Sequence, residues 1–310
     1  MHTITPTEKS LHGYWSRERE PILTVKSGET VRYTTLDARW NSYDTESGTL
    51  VQSPQVETDP LKGHALCGPI EIAGAKRGQV LEIAIGEIIT APQGWNLSGG
   101  EPRDLWQKLG TADEPLHRLE WALDNDAKTA TTTIGGKNYT AKLAPFMGVL
   151  GMPPDAPGQH TTRPPYVHGG NIDCKMLTAG STLFLPIPVD GALFSTGDGH
   201  AAQGDGEVSI YAIECPIDRV DLTFTVHDME LSTPRAHTDE GLVTFGFHED
   251  LNEAMLIALN AMLDLMMQTY DITRKDALAL ASVTVDLRIT QIVNTTQGVH
   301  AVLPHDALSL

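Results

Sequence analysis

Apolar and polar positions alternate in short runs along the first two thirds of the chain. Within 80–89, Leu81, Ile83 and Ile85 alternate with Glu82, Ala84 and Gly86, the period of two expected of a half-buried strand. Runs bounded by Gly, Pro or Asp at 30–34, 181–187, 208–213 and 220–227 read as strands too. The segment 94–128 mixes Trp, Gly, Pro and charge without a period and reads as an inserted excursion, with a helical turn near 104–109. After Glu249 the period changes. Leu251, Met255, Ala258, Met262 and Leu265 step by three and four along one face, which predicts a helix whose Met-rich side enters the core. Thr273 and Asp276 resemble a capping box for a second short helix through Ala281. Beyond it Val283, Val285, Leu287 and Ile289 alternate with Ser282, Thr284, Asp286 and Arg288. That pattern predicts a closing strand, with Asp286 and Arg288 as a structural ion pair. Strands first and helices late indicate a mainly β fold: a jelly-roll-like β-sandwich body over 1–228 and a smaller C-terminal α/β part over 229–310.

Charge narrows the choice of partners. The 310 residues carry 22 Lys and Arg against 40 Asp and Glu, a formal charge of −18. Such a chain repels phosphate backbones and anionic headgroups, so nucleic acid and membrane surfaces are excluded as partners. The longest apolar stretch, 254–267, contains Asn260 and Asp264 and falls short of the roughly 20 residues that cross a bilayer. No basic segment followed by an apolar run stands at the N-terminus, and a cytoplasmic location is the expectation. Cys67, Cys174 and Cys215 are odd in number and widely spaced, which argues against a disulfide framework or a zinc-thiolate site.

Candidate chemistry concentrates between Gly169 and Glu214, in Gly169-Gly-Asn-Ile-Asp173, Gly197-Asp-Gly-His200 and Gln203-Gly-Asp-Gly-Glu207. Glycines beside acids and a histidine let short side chains converge. Asp198 and His200 lie two apart and project to one side of an extended backbone, and Asp173 could supply a third ligand from a neighbouring loop. Two carboxylates and an imidazole suit a divalent hydrolytic metal, zinc first, with calcium or another ion as alternatives. The competing reading makes Asp173 and Asp198 simple turn formers beside glycine. Cys174 and Ser195 lack a recognised nucleophile context.

These residues carry a resemblance that extends over nearly the whole chain. The stretch from Gly169-Gly-Asn-Ile-Asp173 through Gly180-Ser-Thr-Leu, Gly191-Ala-Leu-Phe and Gly197-Asp-Gly-His-Ala-Ala-Gln-Gly-Asp-Gly-Glu207 to Ala212-Ile-Glu214 resembles the acetamidase/formamidase family of metal-dependent amidohydrolases. Gly63-His64, Gly68-Pro69, Pro145-Phe-Met-Gly148 and the 282–290 strand support it. The resemblance implies a mostly β body, homo-oligomers, and hydrolysis of short aliphatic amides to a carboxylate and ammonia. Two places depart from the family pattern: 96–103 reads Asn-Leu-Ser-Gly-Gly-Glu-Pro-Arg where a Pro-Gly-containing loop is common, and Asn294 stands where Asp is frequent.

Amide hydrolysis must generate hydroxide, polarise a carbonyl and protonate a departing nitrogen. A metal on Asp173, Asp198 and His200 would serve the first two tasks. Glu214, expected at the end of a 208–213 strand, is the preferred general acid/base, with Glu207 as the alternative. His64 and Gln203 are candidates for holding the substrate's carbonyl or amide nitrogen. Two rival functions remain: a metallophosphoesterase, whose Asp-x-His, Gly-Asp-x-x-Asp and Gly-Asn-His order is absent here, and a non-catalytic jelly-roll module that binds a small ligand.

Overall fold

In the computed structural model, which describes residues 1–54 and 63–308, the alternating run near residue 80 forms the long strand Val80–Thr90. Leu81, Ile83 and Ile85 are buried while Glu82, Ala84 and Gly86 are half-buried. The register against Ile217–His227 then slips, and Ile88 rather than Ile89 turns inward. These two strands lie within a nine-stranded sheet ordered His2–Ile4, Glu29–Thr35, Ile217–His227, Val80–Thr90, Thr182–Pro186, Arg235–His237, Gly241–His248, Gln297–Pro304 and Asp286–Gln291. Only the first pair is parallel.

A seven-stranded sheet faces it. Its order is Pro165–Tyr166, Gly169–Asn171, Phe146–Gly151, Phe194–His200, Leu66–Ile72 and Leu11–His12, and Leu23–Val25 also pairs with Leu66–Ile72. One apolar cluster takes Val31, Ile83 and Leu222 from the first sheet and Ile70, Leu150 and Phe194 from the second. The Phe194 and Phe224 rings meet across it at 4.9 Å. The mainly β, layered fold expected from the sequence is therefore present.

Three local expectations need correction. The 94–128 excursion carries two strands as well as the expected helical turn: Gln93–Ser98 and His117–Asp124 join Thr129–Ile134 and Lys137–Lys142 in a separate four-stranded sheet, with the short helix Asp104–Lys108 between the first two. His117–Asp124 and Lys137–Lys142 are largely exposed, so they have no buried face to impose an apolar period. The 208–213 run is not a strand. Gly206, Glu207 and Ile210 have positive φ, Val208 is exposed, and these repeated left-handed residues turn the chain instead of leaving an extended run. The closing strand also begins later than expected. The helix capped by Thr273, whose hydroxyl accepts from the Asp276 N–H, runs Arg274–Thr284 and absorbs Ser282 to Thr284. The strand then spans Asp286–Gln291, with Leu287 and Ile289 exposed and Arg288 paired to Glu240 and Asp286.

The long helix Leu251–Tyr270 starts where Asp250 accepts from the N–H groups of Asn252 and Glu253. Its deepest face is Ala254, Ala258, Met262, Leu263 and Met266, so the apolar stripe is rotated relative to the sequence reading. The reason is close approach to the sheet. Gly246 leaves no room for a Cβ beneath Ala254 and Ala258, and Thr244 Oγ1 donates to the Ala258 carbonyl at 2.7 Å. Small residues therefore face the strands, while Leu251, Met255 and Leu265 flank them half-buried. No helix among the described residues is long and apolar enough to cross a membrane.

Candidate metal centre

The seven-stranded sheet sets the floor of the site. Asp198 and His200 sit on its strand Phe194–His200 and reach the same side. Asp173 follows the strand Gly169–Asn171. Asp173, Asp198 and Glu207 all adopt positive φ, at 51°, 59° and 48°. Backbone strain of this kind in non-glycine residues persists where surroundings over-determine it, and it clusters at functional sites. Glu214 stands at no strand end, contrary to expectation. It is held instead by reciprocal backbone bonds with Trp95, at 2.9 and 2.8 Å, and by a bridge to His200.

The ligand-type atoms of Asp173, Asp198 and His200 all lie within 4.8 Å of one another, and so do those of His200, Glu207 and Glu214. His200 belongs to both groups. Its Nε2 is 3.4 Å from Asp198 Oδ1 and 3.5 Å from Glu214 Oε2. Its Nδ1 faces Gln203 Oε1 at 3.0 Å, and Gln203 Nε2 donates to the Asp173 carbonyl at 2.7 Å. Gln203 thus fixes the imidazole's orientation, and both ends of its amide are occupied by protein. His64 lines the cleft, with Nδ1 3.1 Å from Thr162 Oγ1 and Nε2 4.0 Å from Asp198 Oδ2.

Room for this convergence comes from Gly148 in the strand Phe146–Gly151, a position the sequence reading did not single out for chemistry. A Cβ there would sit 2.7 Å from Asp173 Oδ1, 2.7 Å from Asp198 Oδ2 and 2.9 Å from His200 Cε1. Gly148→Ala is accordingly expected to spread the acids apart. Affinity for a divalent metal should fall at least about ten-fold with the circular dichroism spectrum retained; a Gly148→Ala variant that binds metal as tightly as wild type would show that the close approach is dispensable.

Burial dominates the electrostatics. It raises the carboxyl groups of Asp173 and Glu207 well above their usual range, helped by neighbouring acids, and it raises Glu214 to about 7. Burial opposes a charge on His200 as well, but Glu214 and Asp198 overcome it and hold its imidazole well above the ordinary histidine value. Asp198 is lowered despite its burial, because His200 and His64 face it. Several acid oxygens have no hydrogen-bond partner: both of Asp173, Oδ1 of Asp198, and Oε2 of Glu207 and Glu214. Clustered buried oxygens without donors are costly, and a divalent cation would satisfy them. Oxygen-rich ligands with one imidazole fit zinc or another divalent ion.

Other candidates stand apart. Asp205 pairs with Lys175 at 3.0 Å instead of joining the cluster. Ser195 contacts His12 Nε2 at 2.9 Å, which has the look of a nucleophile and base, yet both are buried. Burial, with Arg19 nearby, pushes His12 down to about 3, so it stays neutral and structural. Cys67, Cys174 and Cys215 are free and buried, and burial pushes the Cys174 thiol up to about 12, which leaves it inert.

Above the floor opens a cleft of about 470 Å³. Asp198, His200, Glu207 and Glu214 form its inner end, and Arg39, Asn171, Tyr211 and Asn294 contribute to its walls without having been read as functional from the sequence.

Comparison with known proteins agrees with the fold. The family model described as the acetamidase/formamidase family matches residues 2–162 and 156–239. The acetamidase of Mycolicibacterium smegmatis is 27% identical over 254 residues, covering 64% of this chain and 61% of that protein. The formamidase of Methylophilus methylotrophus is 24% identical over 246 residues, covering 64% of this chain and 60% of that protein. The chain thus aligns with only about 60% of the length of these curated relatives. A crystal structure of an acetamidase from Bacillus halodurans superposes with a TM-score of 0.83 at 27% identity, covering 97% of both chains. One from Thermoanaerobacter tengcongensis, a predicted acetamidase/formamidase, gives 0.82 at 27% identity, with 98% of this chain and 95% of that one covered. The family match spans Asp173, Asp198, His200 and Glu214 as well as the body that supports them, and the chain belongs to the acetamidase/formamidase family.

Proposed function

We propose that this protein hydrolyses short aliphatic amides to a carboxylate and ammonia with the help of a divalent metal. The observation that carries the reading is the gathering of donor-less buried carboxylate oxygens around His200 at the inner end of an open cleft. Asp173, Asp198 and His200 would hold the ion, whose Lewis acidity polarises a carbonyl and acidifies water. Gln203 keeps His200 Nε2 turned toward Asp198 and Glu214. The Glu214 carboxylate, anchored through Oε1 by the Ala212 N–H at 3.1 Å, leaves Oε2 free to take a proton from the attacking water. It returns that proton to the leaving nitrogen as the C–N bond breaks, so amide and water yield carboxylate and ammonium. His64 faces the same space and can donate to the carbonyl oxygen.

Exposed Leu278, Val283, Leu287 and Ile289 support assembly of several copies. The deciding assay is ammonia release from formamide, acetamide and propionamide, with nitrophenyl phosphate as a control. Turnover of at least one amide, abolished by a chelator and restored by zinc or a similar ion, is expected. Phosphate release with no ammonia, or full amide turnover in rigorously metal-free protein, would overturn the reading.

A further inference from the structure

The outer half of the cleft has chemistry that a neutral one- or two-carbon amide does not use. An amide of four non-hydrogen atoms fills on the order of 100 Å³, about three times the share of one water, whereas the cleft holds about 470 Å³. Its acids are gathered at the floor. Its other charged lining consists of Arg39, Arg103 and Arg163 with a single acid, Glu101, and that acid is paired to Arg103 at 2.7 Å. Among the described residues neither Arg39 nor Arg163 has a carboxylate partner. Asn294 adds a buried side-chain Nδ2 with no hydrogen-bond acceptor.

Arg39 is held in place. Asp37 Oδ1 accepts the Arg39 N–H at 2.9 Å, and Asp37 Oδ2 accepts Trp95 Nε1 at 2.8 Å. The Arg39 guanidinium lies 5.2 Å from the Trp95 ring centre and 5.1 Å from that of Tyr211, and it donates once, to the Tyr211 hydroxyl at 2.5 Å. A guanidinium ordered against aromatic rings keeps its remaining N–H groups in a fixed fork that matches a carboxylate. In a chain of net charge −18, a local cationic rim is also what would draw an anion to the site.

We propose that Arg39 and Arg163, with Asn294, form a carboxylate-binding subsite, and that the preferred substrates are short amides bearing an anionic second end. This rests on the amide-hydrolysis reading above. Hydrolysis of malonamate would consume one water, break the C–N bond and release malonate and ammonium; succinamate would give succinate in the same way. The alternative role for the arginines is simply to offset the floor acids, in which case anionic and neutral amides would respond alike to their removal.

The experiment measures kcat/KM on metal-loaded protein for malonamate and succinamate beside propionamide and butyramide. The expected result is at least a ten-fold preference for the anionic amides, mainly through KM. Arg39→Gln and Arg163→Gln should each lower the anionic-to-neutral ratio about ten-fold or more. Arg163→Gln guards against a packing defect at the aromatic shelf, and melting curves report folding of both. A wild-type preference for neutral amides, or ratios unmoved in both variants, overturns the subsite while leaving amide hydrolysis standing. If no amide of either kind is hydrolysed, the hydrolysis reading fails, and calorimetry with succinate decides the subsite alone: binding lost in Arg39→Gln supports it, and no binding to wild type removes it.

Discussion

His200→Ala is expected to lose its bound divalent metal and at least about 10³-fold in kcat/KM for any amide turned over. His200 is the one residue shared by both groups of converging ligand atoms, and it is the only nitrogen donor in either. Without it, Asp173, Asp198, Glu207 and Glu214 face one another with no imidazole between them. Like charges at such distances cannot all remain ionised, so the acids retain protons that compete with a cation. The backbone should survive, because the strand Phe194–His200 is paired on one side with Phe146–Gly151 and on the other with Leu66–Ile72. The melting temperature of the variant should therefore approach that of chelator-treated wild type, since both lack the stabilisation a bound ligand supplies. Gln203→Leu offers an intermediate case. It removes the acceptor facing His200 Nδ1, and a loss of about 10- to 100-fold in metal affinity is expected from such an orienting partner. Metal analysis by mass spectrometry, melting and kinetics on both variants make the check; one tightly held metal per subunit in His200→Ala would mean that the ion sits elsewhere.

Parts of this centre are legible in the chain because their spacing survives folding. Asp198 and His200 are two apart on a strand, and the period-two reading finds them on one side even though Asp198 is left-handed at φ 59°. The acids beside glycines were visible as a crowd, although nothing local indicates that Asp173, Glu207 and Glu214 turn inward instead of forming surface turns. That outcome depends on left-handed backbone at Asp173 and Glu207 and on the Trp95 bridge to Glu214. The left-handed Glu207 and Ile210 also break the apparent strand at 208–213. Gly148 and Arg39 were not legible as parts of the site, for a different reason. Each acts across sheet pairings or ring contacts with residues far along the chain, and a glycine or an arginine taken singly has no periodic signature. In the fold, the alternation in Val80–Thr90 was readable because one side is buried. Helix Leu251–Tyr270 was found but rotated, because hydrophobicity marks Met and Leu while close packing on Gly246 selects alanine.

Glu214→Gln is expected to lower kcat by about 10²- to 10⁴-fold with metal content unchanged. The substitution keeps the shape and the acceptor for the Ala212 N–H, yet it removes the group that burial raises to about 7. A base must lose its proton to act, so wild-type kcat/KM should rise with pH up to neutrality and then level off. A bound cation beside the carboxylate favours its ionised form and moves that limb to lower pH. In Glu214→Gln the limb should disappear, a change that a purely structural role would not produce. Glu207→Gln is the necessary comparison, since Glu207 also joins His200 and also has an unpartnered Oε2. Loss of metal in Glu214→Gln would make the residue a ligand. Near-wild-type turnover there, beside a collapse in Glu207→Gln at full metal content, would transfer proton transfer to Glu207. Glu214 is preferred because its backbone is clamped to Trp95 on both its N–H and its carbonyl, whereas Glu207 is carried by an irregular loop with positive φ at Gly206, Glu207 and Ile210. A proton-transfer group held by a rigid neighbour stays within reach of the reacting atoms through the catalytic cycle.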